Sequence, residues 1–144
     1  MAVSRSVASA EILMGRLDFG ADLLQGLTDM CIQKSVRLGR MEALGAVQKA
    51  RLGFYDQKAR QYRYVVMDKP LELLHLVGNV SLKDGKPMVH AHVTLADDEG
   101  HAFGGHLASG TIVFSCEYVI EEFNGPTFAR GLDQETGLPL WIAQ

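Results

Sequence analysis

The hydrophobic repeat of this chain changes once, from a helical period to a period of two, and that change dictates the order in which its elements can be laid down. Over residues 21–34 the apolar side chains Leu23, Leu24, Leu27, Met30 and Cys31 share one stripe, while Asp22, Gln25, Asp29 and Gln33 lie largely off it. The spacing predicts one helix. Gly20 and Asp22 suit its start, because an acidic group near the first turn favours the unpaired amide donors there, and Gly39 follows its expected end. Beyond it, residues 43–47, 50–55, 62–67, 71–82, 88–96, 101–107 and 111–123 read as strands, the first three as a β-meander. Lys83-Asp84-Gly85-Lys86 and Asp97-Asp98-Glu99-Gly100 are the expected turns, and the last strand is expected to carry Ile112, Phe114, Cys116, Tyr118 and Ile120 on one face. The expectation is an α+β fold: a strongly curved, mostly antiparallel sheet of about seven strands with one long covering helix.

A chain of 144 residues, 47% of them hydrophobic, has apolar surface for one core. The expected organisation is a flexible tail at residues 1–9 and a single domain over 10–144, since the first nine residues lack the apolar run of a secretory signal. Charged residues interrupt every hydrophobic stretch well short of the roughly 18 to 20 residues that span a bilayer, so a cytoplasmic protein with no membrane partner is expected. Cys31 and Cys116 each fall on the apolar side of their element, where a small buried hydrophobe is expected, and such sparse cysteine is compatible with a reducing compartment. The net charge of -3 opposes the sign needed to attract nucleic-acid phosphates.

The chemistry concentrates in Met88-Val89-His90-Ala91-His92-Val93-Thr94-Leu95. With Val89, Ala91, Val93 and Leu95 on one side, His90 and His92 share the other with Thr94. A hairpin register whose paired residue numbers sum to 196 or 198 sets His106 opposite His90 or His92 on the same face; a sum of 197, or a bulge at Gly104-Gly105, turns it away. Three neutral imidazoles on a rigid hairpin suit zinc or a similar first-row ion, leaving a fourth position for water, a carboxylate or a ligand. His75 is expected at the edge of the core and His101 at an exposed hairpin end.

Longer stretches resemble the plant-and-prokaryote-conserved (PPC) domain. They are Leu74-His75-Leu76-Val77-Gly78-Asn79-Val80-Ser81 and Gly100-His101-Ala102-Phe103-Gly104-Gly105-His106-Leu107-Ala108-Ser109-Gly110, with Gly20-Ala21-Asp22-Leu23 similar to the start of that family's helix and Leu44-Gly45-Ala46-Val47 to its Gly-Ala strand. The tail Arg130-Gly131-Leu132-Asp133-Gln134-Glu135-Thr136-Gly137-Leu138 resembles the ending of bacterial members. The resemblance implies a homotrimer, a metal position at His90, His92 and His106, and a DNA-binding or regulatory role. In plants the domain accompanies AT-hook segments, whereas Arg37-Leu38-Gly39-Arg40 lacks their Arg-Gly-Arg-Pro core. Direct DNA contact is therefore not expected, and Arg51, Arg60 and Arg63 read as solvated strand faces.

Acetolactate decarboxylase is similar in architecture, placing zinc on a His-x-His pair plus a distant histidine. This second resemblance implies an alternative, a zinc-dependent enzyme acting on a small carbonyl or carboxylate substrate. Glu117 and Arg130 are the candidate catalytic groups, one to move protons and one to orient substrate.

Overall fold

The computed structural model describes residues 2–142. Strand β1 (Ala8–Leu17) precedes the single helix α1 (Leu23–Gln33), and β2 (Gly39–Asp56), β3 (Gln61–Met67), β4 (Leu71–Lys83), β5 (Lys86–Ala96), β6 (Ala102–Leu107) and β7 (Ile112–Asn124) follow. A short hairpin, β8 (Arg130–Leu132) and β9 (Pro139–Trp141), ends the described chain. The main sheet has seven antiparallel strands in the order β1-β7-β2-β4-β5-β6, with β3 on β2. This is the expected α+β architecture with one helix and a mostly antiparallel sheet.

The helix forms where its stripe predicts and is pinned at both ends. Asp22 is the N-cap: one carboxylate oxygen accepts from the Gln25 amide at 3.0 Å, and the other accepts from the Gly110 amide at 2.6 Å, tying the helix start to the loop before β7. At the other end Ser35, at φ 58°, turns the chain, with the Val36 amide donating to Cys31 and the Ser35 amide to Ile32. Gly39 follows the helix as expected and begins β2, while a serine in the left-handed region makes the turn between them. Leu23, Leu27 and Cys31 are buried against the sheet, each leucine contributing about 2 kcal/mol by burial.

Two expected strands, 43–47 and 50–55, are one. Their separation in the sequence comes from a slip in phase: Met41, Ala43 and Val47 are buried at odd positions, then Ala50 and Leu52 at even ones. The pairing with β7 shifts at the same place, between Val47 and Lys49, so the strand continues through a bulge that turns its faces over. A second slip lies on β7, where Ala46 pairs Ser115 and Val47 pairs Val113. Phe114 is left between them and is 60% exposed, while Val113 is fully buried, which corrects the expected face of the last strand at that position. Cys116, Tyr118 and Ile120 are buried as expected, and both free cysteines lie in the core.

The two ends of β2 serve different neighbours. Its first half lies between β7 and β4, and its second half pairs with β3 and touches β6 at Leu52–Leu107 and Gly53–His106. The path β2-β4-β5-β6 therefore returns to β2 and closes a small ring of strands, which replaces the simple meander. Strand β1 is an element that the sequence reading did not mark, and it forms an outer edge paired with β7 from Ala8–Asn124 to Leu17–Cys116. Before it, the Arg5 guanidinium donates to the Thr127 carbonyl at 2.7 Å.

Candidate metal centre

Strand alternation and hairpin register together build the site. On β5, Val89, Ala91, Val93 and Leu95 are buried in the core, so His90 and His92 project from the opposite face. The β5–β6 hairpin pairs His92 with His106, the register in which residue numbers sum to 198, and it runs through Val93–Gly105 and Thr94–Gly104 without a shift. Directly paired residues share a face, so the third imidazole joins the first two. Each histidine offers one ring nitrogen, and these three atoms lie within 4.8 Å of one another.

The rings stand 5.1 Å (His90–His92), 5.1 Å (His90–His106) and 5.6 Å (His92–His106) apart between centroids. His90 and His106 are half-buried, and His92 is exposed, which leaves one side of the cluster open. Nδ1 of His106 is buried without a hydrogen-bond partner among the described residues. A buried donor or acceptor left in that state costs about 1 to 3 kcal/mol. Burial holds the imidazole of His90 down at about 4, with His106, Arg130 and His92 adding to the shift in that order. The same causes, burial first and then His92 and Arg130, lower His106. Both are neutral at neutral pH, the state in which a ring nitrogen can ligate. The donor set therefore fits a divalent ion of the first transition row, and the cluster could hold one.

Close packing of the ring of strands makes room for these imidazoles. Gly53 pairs with His106, and a Cβ there would lie 3.1 Å from the Tyr62 ring and 3.4 Å from Cδ2 of His106. Tyr62 stands 4.9 Å from His106 between ring centroids and packs in turn against Tyr55 and Tyr64. No pattern in the sequence marked Tyr62. Its place follows from the β2–β6 closure, which joins residues some fifty positions apart.

Arg130 reaches the cluster from the C-terminal hairpin. Its Nε donates to Ser81 Oγ at 2.7 Å, Nη1 to the Pro139 carbonyl at 3.0 Å and Nη2 to Asn79 Oδ1 at 3.1 Å. Asn79 is the β4 partner of His90, so the guanidinium lies beside the histidines and its charge acts on His90 and His106. Asn79 and Ser81 were not singled out in the sequence, although alternation with buried Val80 was the available signal for Asn79. The tail packs down, Trp141 stacking on Phe128 at 4.4 Å between ring centroids. Tyr55 donates to the Thr136 carbonyl, and Arg60 to the carbonyls of Gln134 and Glu135.

Glu117 is not brought to the cluster within this chain. It lies on β7 paired with Leu44 of β2, and β4 intervenes before β5, three strand spacings or on the order of 14 Å along the sheet. It lines a separate hollow of about 670 Å³ with Met14, Leu44, Leu74 and His75. His75 is exposed there, which corrects its expected place at the core edge: a bulge at Leu74 turns it outward. His101 is exposed at the hairpin end as expected, 3.3 Å from Asp97.

The arginines are largely engaged. Arg40 bonds Glu121 at 2.6 Å, Arg63 pairs with Asp56 at 3.0 Å, and Arg51 lies 3.6 Å over the Tyr64 ring. Arg60 is a turn residue at φ 52° and not part of a strand face, which corrects that expectation. Among the described residues no helix is long and apolar enough to cross a membrane.

A curved antiparallel sheet with one helix and an outward cluster of three imidazoles defines a class of protein found well beyond this chain. Residues 4–124 match the Plants and Prokaryotes Conserved (PCC) domain, and the chain belongs to that family. A metal-containing protein of Archaeoglobus fulgidus superposes with a TM-score of 0.94 at 37% identity, covering 99% of this chain and all of the other. A PPC protein of Pyrococcus horikoshii gives 0.92 at 31% identity with 99% of each chain covered. A candidate DNA-binding protein of Ralstonia eutropha JMP134 gives 0.80 at 26% identity, covering 91% and 90%. A protein of Synechococcus called the bifunctional protein GlmU is 33% identical over 131 residues, 90% of this chain. The chain spans about a fifth of the length of that relative.

Proposed function

We propose that this protein is a homotrimeric, cytoplasmic metal-binding PPC protein whose ion, zinc, is held by His90, His92 and His106. One observation carries the reading: three ring nitrogens from two paired strands lie within 4.8 Å, with no hydrogen-bond partner at His106 Nδ1. The metal-containing relative at 37% identity supports it, and three imidazoles favour zinc over the harder cations that take oxygen ligands. The exposed apolar residues Met14, Leu44, Leu74 and Val77 support assembly, because a sheet face of that kind is stabilised by cover. Buried, free Cys31 and Cys116 suit a reducing interior. Its service is regulatory, with any contact to DNA made through a partner: the net charge is -3, and Arg40 and Arg63 pair with carboxylates. The reading is tested by elemental analysis of protein purified without a histidine tag or added metal, beside the His90→Ala, His92→Ala, His106→Ala variant. About one zinc per chain in the first and none in the second is the expected result; metal-free protein that also refuses added zinc would sink it.

A second reading, an enzyme acting on a small carbonyl or carboxylate substrate, draws on the open side of the cluster at exposed His92. It requires a fourth position free of protein ligands, so a zinc absorption spectrum showing four protein donors would exclude it.

A further inference from the structure

We propose that Arg130 and the metal at the triad together form a binding site for a small oxyanion. The inference rests on the metal reading above and adds to it the class of ligand. Three neutral imidazoles bring no charge, so a divalent ion there keeps both of its own, and the guanidinium beside it adds another. All three protein partners of Arg130 are neutral: the Ser81 hydroxyl, the Pro139 carbonyl and the Asn79 amide oxygen. A guanidinium has five N–H donors, and these bonds use one on each nitrogen. One N–H on each terminal nitrogen is therefore without a bond among the described residues.

Among the described residues no acidic side chain bonds the guanidinium. The nearest one by register on this face is Glu42, opposite Val77, which in turn pairs with His92, and Glu42 already lies 3.9 Å from Arg40. The guanidinium is held in place, since the strap that carries it is fixed by Trp141 on Phe128 and by Arg60 and Tyr55 on residues 134–136. Its donors are thus preorganised, and exposed His92 leaves a path for a solute. A carboxylate or a phosphate meets both demands, an oxygen for the metal and a second for the arginine fork.

The test is calorimetric titration of zinc-loaded protein with sodium acetate and, separately, inorganic phosphate, at constant ionic strength, with zinc content measured beforehand. Binding of either anion at one site per chain is expected, and the tighter of the two names the ligand class. Arg130→Gln should keep its zinc and weaken binding about 10- to 100-fold, as loss of a charge-assisted bond does. Zinc-loaded wild type that binds neither anion, or Arg130→Gln that binds as wild type does, would overturn the proposal. Wild type that takes up no zinc would overturn the metal reading itself, and this proposal with it.

Discussion

Two patches on the outward face of the sheet both contain histidine and charge, yet they are built for different partners. In the candidate metal centre, three imidazoles converge from β5 and β6, His90 and His106 half-buried and His92 exposed, with Nδ1 of His106 left unbonded among the described residues. In the hollow across β1, β7, β2 and β4, a single histidine, His75, and Glu117 stand among exposed Met14, Leu44 and Leu74. Convergence of like donors, with burial first and neighbouring imidazoles second keeping His90 and His106 neutral, prepares an ion site. An open apolar floor with a charged rim instead resembles one half of a protein interface. Histidine content alone does not distinguish the patches; what surrounds each ring does.

The strongest way to break this comparison is to place a charge in the hollow. Leu44 is 56% exposed in the single chain, so Leu44→Arg leaves the core intact and should cost the fold little. If the hollow is the contact between copies, the variant should fall from three chains to one by light scattering while keeping its zinc. An unchanged mass would mean that assembly, where it occurs, uses another surface. A smaller effect is expected on the other side of the comparison. Gly53→Val adds bulk where even a Cβ lies 3.1 Å from Tyr62 and 3.4 Å from His106, and it should weaken zinc binding about tenfold by displacing that ring. Equal zinc affinity, measured by competition with a chelator, would show that His106 has freedom the packing denies it.

The candidate metal centre was more legible in the sequence than the sheet around it. Alternation put His90 and His92 on one face, and the short polar turn at 97–100 narrowed His106 to a few registers, among which the fold takes the one that pairs it with His92. The split of β2 was misread because periodicity marks burial, not strand continuity: the bulge at Gln48 inverts the faces without interrupting the backbone ladder. The exposure of Phe114 and the outward turn of His75 have the same cause, since a bulge leaves the composition of a strand unchanged. Tyr62, Asn79 and Ser81 depend on long-range closure, and no local pattern encodes which strands meet.

The pH dependence of the metal-free protein gives a subtler contrast. His90 sits at about 4 in the fold against an ordinary value of 6.5, so between those limits the unfolded chain binds the proton that the folded chain refuses. Stability contributed by the neutral ring is complete above about pH 6.5 and is lost as pH falls towards about 4. His106 is lowered for the same reasons and adds to the slope. Urea midpoints of the zinc-free protein should decline over this range, and more gently once both His90 and His106 are replaced by Gln. Equal slopes would mean that these imidazoles are not desolvated.

The smallest effect is the sharpest discriminator. His75→Ala changes a histidine whose β5 partner, Thr94, is only two residues from His92, yet it should leave zinc content and chelator competition unchanged. The ring belongs to the hollow and contributes no atom to the cluster of three. If the substitution instead lowers zinc affinity, the two patches communicate through the β4–β5 ladder and the division drawn between them fails. If it leaves zinc alone but loosens assembly, His75 acts at the rim of the interface, where truncating one partially exposed side chain shifts association by about tenfold or less.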